Sequence, residues 1–408
     1  MTLLAGPVPL RRNRDFQVFW AAQALSALGS SFSLVALPLL VLHATGSVAQ
    51  MGLITGVAGA AGVASGLVAG VVADRHDRRR LMVACDAARL VLYGAVPLLW
   101  WTAGEVVWAL YPLMAAASVA TMVFDVACSA AVPALVDRDQ ITAANSRLEG
   151  TYAAGFVLGP VAAGLLTGLL GPVPAIAVDA ATFGLSAAGL LLIRLRPRAT
   201  VAERSALWPD LVTGLRFLWG TPRLRAITAL YMPVTFLSLG LVDLFIYYLR
   251  HDLGQGDRVV GLLLGVASLG AIAAAAVTPA LRRRLGFGPA WLGAYLACGV
   301  AIAAAGLVFH VAAVLIAATV FAFGETAAAI SSASLRQTVT PEHLLGRVTA
   351  AFRLVHHSCG PLGALVLTTA AAGIGVRGPL TAVGVLFVVV VAIGFATPLA
   401  ARTPEAPG

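Results

Sequence analysis

Residues 66–81 read GLVAGVVADRHDRRRL, and this stretch decides the fold class of the chain. It closes an uncharged run of about twenty residues, the length that an α-helix needs to cross the hydrocarbon core of a bilayer. The run ends abruptly in a cluster of charges that includes Arg75, Arg78 and Arg79. Because arginines directly beyond a membrane span remain on the cytoplasmic side, this helix end predicts the orientation of the whole chain.

The composition also points to the membrane. Of the 408 residues, 60% are hydrophobic and only 11% are charged, whereas about 25% are charged in an average soluble domain. The net charge of +9 comes from arginines at the ends of apolar runs, a pattern of membrane orientation and not of nucleic-acid binding. We therefore expect a lipid bilayer, and no nucleic acid, as a partner. The four cysteines lack the spacing of metal ligands, so no cofactor or metal is expected.

Apolar runs bounded by charge, proline or glycine predict twelve membrane spans. We expect a cytoplasmic tail at 1–15, six spans in 16–193, a basic cytoplasmic linker at 194–221, six spans in 222–400 and a cytoplasmic tail at 401–408. The arginines expected on the outer side are Arg250, Arg258 and Arg377 alone. This asymmetry predicts an inner-membrane protein with both termini in the cytoplasm.

The linker and the two halves around it carry further patterns. The linker predicts an amphipathic helix at the inner interface, with one apolar face made of Trp208, Leu211, Leu215, Leu218 and Trp219. A faint repeat relates the two halves at a nearly constant separation. Its matched pairs are Asp125 with Glu325, Arg147 with Arg347, and Gly159-Pro160 with Gly360-Pro361. Such a repeat predicts two parallel units of six helices.

Five residues at the end of the second span follow the order G-x-x-x-D-R-x-x-R-R: Gly70, Asp74, Arg75, Arg78 and Arg79. This order resembles the loop between helices 2 and 3 of the major facilitator superfamily, with Asp77 where the family usually has glycine. The resemblance implies an all-α membrane protein of twelve transmembrane helices in two pseudo-symmetric six-helix bundles. It also implies that the loop is a conformational latch; a plain basic membrane anchor is the alternative.

A second motif, GFVLGPVAAG at 155–164, lies in the fifth span. It resembles the antiporter-associated motif of the same superfamily, with Ala163 in place of one glycine. Gly155, Gly159 and Gly164 allow close helix contact, and Pro160 bends the helix, so we expect a gating kink. The motif favours export.

Charged side chains inside spans cost about 2.5–3.5 kcal/mol at a helix centre on insertion scales, so each needs a reason. Asp86 and Arg89 lie three residues apart and can pair on one helix face, either to support the latch loop or to take part in transport. Asp125 is either a partner of the latch arginines or a proton carrier.

Glu325 is the best candidate for proton coupling. It lies near the middle of the tenth span among small residues, with no arginine within one helical turn. Burial disfavours an ionised carboxyl group, so Glu325 would take up and release protons or face a cationic substrate. A protonated acid that is hydrogen-bonded inside the bundle is the alternative.

Further candidates lie in the seventh and eleventh spans. Asp243 precedes an aromatic segment that suits a lipophilic cation or, alternatively, an interfacial belt. Arg353, His356 and His357 occupy successive turns of the eleventh span. They either join Glu325 in a proton network or serve as simple hydrogen-bonding groups.

The opening segment VFWAAQALSALGS at 18–30, together with DRHDRRR at 74–80 and AANSRLE at 143–149, resembles the superfamily branch of bacterial macrolide, multidrug and siderophore exporters. This resemblance implies proton-coupled export of lipophilic, often cationic, compounds by alternating access, by a monomer. A dedicated exporter of one siderophore or self-made antibiotic is an alternative; it would need fixed cationic groups, and Arg353 is the one deep arginine expected. A non-transporting scaffold or sensor is another. No nucleophile, metal or phosphate-binding pattern favours an enzyme.

Overall fold

The computed structural model describes residues 9–137, 140–195 and 207–401. The side chains of a few helical residues, Asp74 and Trp208 among them, lie outside this description. The first half of the chain forms α1 (Arg14–Thr45), α2 (Val48–Arg75), α3 (Arg78–Ala103), α4 (Val107–Leu135), α5 (Ile141–Leu170) and α6 (Pro172–Leu190).

The second half begins with the short helix α7 (Leu207–Gly220). It continues with α8 (Pro222–Ser238), α9 (Leu241–Tyr247), a π-helical turn (Tyr248–Asp252), α10 (Asp257–Leu285), α11 (Phe287–Leu307), α12 (Val311–Val339), α13 (Glu342–Ile374), α14 (Arg377–Phe395) and a 3₁₀ turn (Pro398–Ala400). The described ranges contain no β-strand, which confirms the all-α prediction.

The helices are long and apolar enough for a multi-pass membrane protein. Among the described residues, eleven segments meet that length and hydropathy, and α5 adds the shorter apolar stretch Leu158–Leu170. The twelve predicted spans correspond to α1–α6, to α8 with α9 and the π turn, and to α10–α14. Eleven of the twelve predicted spans therefore contain a segment that meets both criteria, and the apolar stretch of α5 is shorter.

The seventh span is broken instead of forming one continuous helix. α8 ends at Ser238 and α9 starts at Leu241. Gly240 lies in the break with its α-carbon against the backbone of Ala364 in α13, where a Cβ would come within 2.8 Å of the Ala364 Cα. Glycine lowers helix stability by about 1 kcal/mol relative to alanine. The break therefore coincides with a position where glycine permits close helix contact.

The chain divides by contacts into two units. Unit 1 comprises Met1–Leu40 and Ala58–Ala202, and in it α3 packs against α4 and α6 while α5 packs against α6. Its core cluster contains large side chains from α1, α3, α4 and α6, including Phe16, Phe19, Met82, Phe124 and Leu190.

Unit 2 comprises Val41–Val57 and Glu203–Gly408. In it α11 packs against α12 and α14, α10 packs against α12, and α13 packs against α7 and α8. The linker helix α7 is tied to α13 by an ion pair of 2.7 Å between Asp210 Oδ1 and Arg347 Nε. On its predicted apolar face Leu218 is buried whereas Trp219 is 40% exposed. The predicted face therefore does not pack as one surface.

The helix lengths agree with the internal repeat. Helices α4 and α12, which carry Asp125 and Glu325, are both 29 residues long. Helices α6 and α14, the last of each set of six, are both 19 residues long. The matched acidic residues therefore lie on corresponding helices of the two halves.

Candidate functional site

The loop between α2 and α3 is held by hydrogen bonds within unit 1. Arg78 Nη1 donates to the carbonyl of Ala130 in α4 (2.5 Å), and Arg79 Nε donates to that of Leu190 at the end of α6 (2.9 Å). A cation at a helix carboxyl terminus is favoured by the helix dipole. These two arginines therefore tie three helices together in addition to any contact with lipid headgroups.

Asp77 explains how the loop turns without glycine. Its backbone is extended, with φ −61° and ψ 120°, so no left-handed conformation is required. Its carboxylate accepts a hydrogen bond from the amide of Arg80 (2.8 Å) and caps the first turn of α3. Among the other motif residues, Gly70 is half-buried and Arg75 is exposed. The side chain of Asp74 lies outside the described residues.

The α5 motif packs against α1 inside unit 1. A Cβ on Gly159 would meet the side chain of Ser31 at 2.1 Å, so glycine is required for this approach. Ser31 Oγ donates to the carbonyl of Gly155 (3.2 Å). Pro160 lies inside α5, which continues as one helix through it, and Gly164 is buried. The motif therefore forms a tight α1–α5 contact.

Asp86 and Arg89 form the ion pair that their spacing predicts. Both are buried, and Arg89 Nη2 contacts Asp86 Oδ1. The guanidinium carbon lies 4.2 Å from the ring centre of Phe124 and 4.3 Å from that of Phe183. Asp86 Oδ2 and Arg89 Nε have no hydrogen-bond partner. This pair is enclosed by α3, α4 and α6.

Arg89 is also the charged neighbour of two other carboxyl groups in unit 1. Asp125 lies on α4 with an exposed side chain, and Arg89 is a charged neighbour of it. Asp179 on α6 is fully buried and accepts a hydrogen bond from Ser33 Oγ. Arg89 is therefore ion-paired with Asp86 and is a charged neighbour of Asp125 and Asp179.

Glu325 occupies a different environment in unit 2. It is half-buried on α12, and Ser238 Oγ lies 3.2 Å from its Oε1. Ser238 Oγ also lies 2.8 Å from the carbonyl of Val234. The hydroxyl can donate to a carboxylate, or accept from a protonated acid while it donates to Val234. No described cation lies within ion-pair distance of Glu325, so the site suits either protonation state.

A polar stripe on α8 connects Glu325 with the predicted histidine. Tyr231, Thr235 and Ser238 share one face of this helix. Thr235 Oγ1 contacts Nδ1 of His356 on α13, and the ring of Tyr231 lies edge-on to His356 at 4.5 Å between centres. Glu325 contacts Ser238 and His356 contacts Thr235, so both groups lie against the same polar stripe. Sequence reasoning missed it, although its polar spacing of four and three residues was a visible signal.

Aromatic core residues lie behind the acid. Tyr295 on α11 is fully buried, and its hydroxyl lies beside the carboxyl group of Glu325. Its ring packs against Trp291 (4.9 Å) and Tyr231 (6.2 Å). These aromatic rings form the packed core next to Glu325.

The arginine expected to lie deep is not the buried one. Arg353 and His357 are exposed, whereas Arg336 near the end of α12 is only 9% exposed. Arg336 Nη1 donates to Ser332 Oγ (2.6 Å), and its guanidinium stacks over Phe352 at 4.0 Å. The expectation that Arg353 is the one deep arginine was therefore wrong, because Arg336 and Arg89 are both buried.

Asp243 is not surrounded by the aromatic residues that follow it. It is buried on α9 beside the hydroxyl of Thr55, from the segment of α2 that belongs to unit 2. Tyr247 stacks on His251 at 4.7 Å, and Tyr248 packs towards Phe309. Asp243 thus contacts a neighbouring helix and not an aromatic cage.

The sequence is similar to a known family over most of its length. The profile of the Major Facilitator Superfamily matches residues 19–364. The multidrug efflux pump Tap of Mycolicibacterium fortuitum is 27% identical over 359 residues, 86% of this chain and 87% of that protein. The enterobactin exporter EntS of Escherichia coli O1:K1 is 25% identical over 364 residues, 88% of this chain and 85% of that protein.

Solved structures share the fold at low identity. The nucleoside transporter NupG superimposes with a TM-score of 0.77 at 12% identity, over 93% of this chain and 98% of that one. A bacterial homologue of the lysosomal transporter Spinster superimposes with a TM-score of 0.79 at 14% identity, over 98% of this chain and 99% of that one.

Proposed function

Because this chain belongs to the Major Facilitator Superfamily and is a transporter, we propose that it exports lipophilic, often cationic, small molecules in exchange for protons. Export would proceed by alternating access in the inner membrane, by a monomer with both termini in the cytoplasm. The efflux function of the relatives Tap and EntS supports the direction of transport.

The observation that carries proton coupling is the environment of Glu325. A carboxyl group held by a hydroxyl that can donate or accept, with no described cation paired to it, can change protonation without breaking an ion pair. A membrane interior disfavours the ionised acid unless a cation compensates it. A cationic substrate would be that compensating charge, so proton and substrate would compete for Glu325.

The test is dye efflux under an imposed pH gradient. Purified protein in vesicles is loaded with a lipophilic fluorescent cation, and wild type is compared with Glu325→Gln. We expect gradient-driven dye movement in wild type and only background movement in the variant. The matched control is Glu105→Gln, since Glu105 is exposed in the loop after α3 and should leave transport unchanged.

Two results would contradict this assignment. If Glu325→Gln matches wild type, coupling lies elsewhere, and Asp125 becomes the next carboxyl group to replace. If wild type moves no dye with any gradient, export of lipophilic cations is wrong. The proposed roles of 70–79 as latch and of 155–164 as gate are tested by whether Arg79→Gln and Pro160→Ala slow transport without loss of folded protein.

Arg336 favours a second candidate, a dedicated exporter of one anionic metabolite such as a siderophore. Its buried guanidinium over Phe352 is the fixed cation that such a ligand would need. This candidate predicts no protection against a panel of cationic drugs and loss of one secreted metabolite on deletion. Arg336→Gln would then abolish export of that metabolite, whereas the multidrug proposal predicts that cation efflux persists in it.

A further inference from the structure

A groove lies in unit 2 between the end of α11 and the first half of α14. Three neighbouring pairs on α14 line it at intervals of four positions, so they share one face of the helix: Arg377-Gly378, Thr381-Ala382 and Val385-Leu386. Gly306 and Leu307 of α11 complete the lining. The groove has a volume of about 730 Å³, within the range of about 300–1,000 Å³ that is usual for ligand sites. It therefore has room for a ligand.

Small residues leave this space open. A Cβ on Gly306 would lie 2.3 Å from Thr381 Oγ1, so glycine is needed for the close contact of α11 with α14 at this point. Gly378 has no side chain and Ala382 has only a methyl group, so the face of α14 beside that contact is not filled. The leucine and valine side chains of the lining are exposed, and both helices have the length and hydropathy of a membrane span. The groove therefore faces the hydrocarbon of the bilayer.

One cation, Arg377, lies at the end of the groove. Its Nε donates to the carbonyl of Gly306 (3.0 Å), and its Nη2 donates to that of Leu307 (2.8 Å). These two bonds fix the guanidinium at the end of α11, whereas Nη1 has no acceptor among the described residues. The two acids next to the π turn, Asp252 and Asp257, are paired with histidine and arginine side chains. Arg377 therefore presents a cation with no described carboxylate within ion-pair distance.

A similar contact between an arginine and a helix end occurs in unit 1. Arg79 Nε and Nη2 donate to the carbonyls of Leu190 and Leu191 at the end of α6. The groove beside Arg79 has a volume of about 310 Å³, at the lower limit for ligand sites. An arginine that holds the end of a neighbouring helix therefore needs no ligand. The larger groove, and not the helix-end contact, distinguishes Arg377.

The lining fits a molecule that has an anionic head and an apolar body. A guanidinium group binds phosphate oxygens through several N–H donors, and the exposed apolar face of α14 suits a hydrocarbon chain. A free phosphate ion would leave that apolar face without a partner, and a neutral hydrocarbon would leave the charge of Arg377 unpaired. Basic sites between membrane helices bind anionic lipid headgroups in this way.

We infer that the α11–α14 groove binds one anionic phospholipid, with its phosphate on Arg377 and an acyl chain along Ala382 and Leu386. The lipid belongs to the leaflet opposite the C-terminal tail, because Arg377 begins α14 and the tail follows its other end. In the orientation proposed above, this is the outer leaflet. None of the lining residues belongs to the set proposed for transport, so the lipid site does not depend on proton-coupled export.

Native mass spectrometry of the purified protein in detergent tests this site. Dioleoyl phosphatidylglycerol is titrated, and the dissociation constant of each bound lipid is measured. We expect wild type to bind one lipid more tightly than those that follow. Arg377→Gln should weaken the binding of this first lipid about tenfold or more, the effect of losing a hydrogen bond to a charged group.

A second variant tests the groove while the arginine stays in place. In Ala382→Leu the larger side chain should occupy the space of the acyl chain and weaken the first binding step as well. The matched controls are Arg258→Gln, at an exposed arginine of α10, and Ala392→Leu, at an exposed alanine near the other end of α14. Both should bind the lipid as wild type does. The unfolding temperature of each protein without lipid shows that it is folded.

Two further probes identify which part of the lipid is recognised. Glycerol phosphate, a free head group, should not displace the bound lipid, since the apolar lining contributes to binding. Dioleoylglycerol, which lacks the phosphate, should bind wild type and Arg377→Gln equally.

Equal binding of phosphatidylglycerol to wild type and Arg377→Gln, or to wild type and Ala382→Leu, would overturn the inference. Displacement of the lipid by glycerol phosphate would also overturn it, because the site would then be a simple anion site. A dimer that is present in wild type and lost in Ala382→Leu would show that a second copy of the chain occupies the groove instead.

Discussion

Each unit contains an acidic site, and the two carboxyl groups have opposite electrostatic environments. In unit 1, Asp86 is committed to Arg89, whose guanidinium is enclosed between Phe124 and Phe183. In unit 2, Glu325 has a hydroxyl for a partner and no described cation within ion-pair distance. A carboxylate that is bound to a buried cation cannot change its charge without a large penalty, whereas one beside a hydroxyl can. The comparison supports our proposal of a structural role for Asp86 with Arg89 and of a chemical role for Glu325.

The largest effect on stability should come from Arg89→Met. Removing one partner of a buried ion pair leaves the other charge uncompensated and costs about 3–5 kcal/mol. We expect a marked drop in the thermal unfolding temperature in detergent. Arg80→Met, at an exposed position on the same helix, is the control and should be neutral.

The double variant Asp86→Leu with Arg89→Met should recover most of that loss. Replacement of a whole buried pair by apolar groups is often neutral or stabilising, by about 1–4 kcal/mol. Unfolding temperatures of the two single variants and the double variant give the coupling energy. If the double variant is as unstable as Arg89→Met alone, the pair is not the reason for the penalty.

A smaller and different effect is expected from Tyr295→Phe in unit 2. The variant removes one buried hydroxyl and keeps the ring, so stability should change by about 1 kcal/mol. The hydroxyl lies beside Glu325, and its loss should reduce gradient-driven efflux while the protein stays folded. Tyr248→Phe, which also removes a buried tyrosine hydroxyl, is the control. Equal efflux in both variants would exclude a role for Tyr295 in coupling.

The smallest effect is expected from Asp210→Asn, which breaks the half-exposed ion pair with Arg347. Pairs in contact with water contribute about 0–1 kcal/mol. The unfolding temperature should be nearly unchanged and the small difference should vanish at high salt. A loss as large as that of Arg89→Met would mean that exposure does not separate the two kinds of pair.

The fold could be predicted from the sequence because a membrane span depends on the chain alone. In a bilayer every backbone polar group must be hydrogen-bonded within the helix. A long apolar run in the sequence is therefore sufficient to predict a membrane-spanning helix. The pairing of Asp86 with Arg89 was predictable for the same reason, since three-residue spacing on one helix brings the side chains together.

The candidate site was only partly predictable, because its geometry depends on neighbouring helices. Glu325 was identified from its position, but its partners Ser238 and Tyr295 come from α8 and α11. Arg336 was missed because α12 continues to Val339, which carries the arginine inside the helix, where Phe352 of α13 covers it. The role of Asp243 was inferred from its neighbours in the sequence, whereas in the fold it lies beside Thr55 of α2.

The location of both Asp86 and Arg89 on α3 has a consequence for biogenesis. Their hydrogen bond joins residues three positions apart, so it can form as soon as this segment is helical, before α4 or α6 has arrived. The pair can then enter the lipid as an electrically neutral unit, with Arg78, Arg79 and Arg80 at the end of the segment. Had the two charges been divided between two helices, each would have entered the lipid alone, with a penalty of about 2.5–3.5 kcal/mol at the bilayer centre.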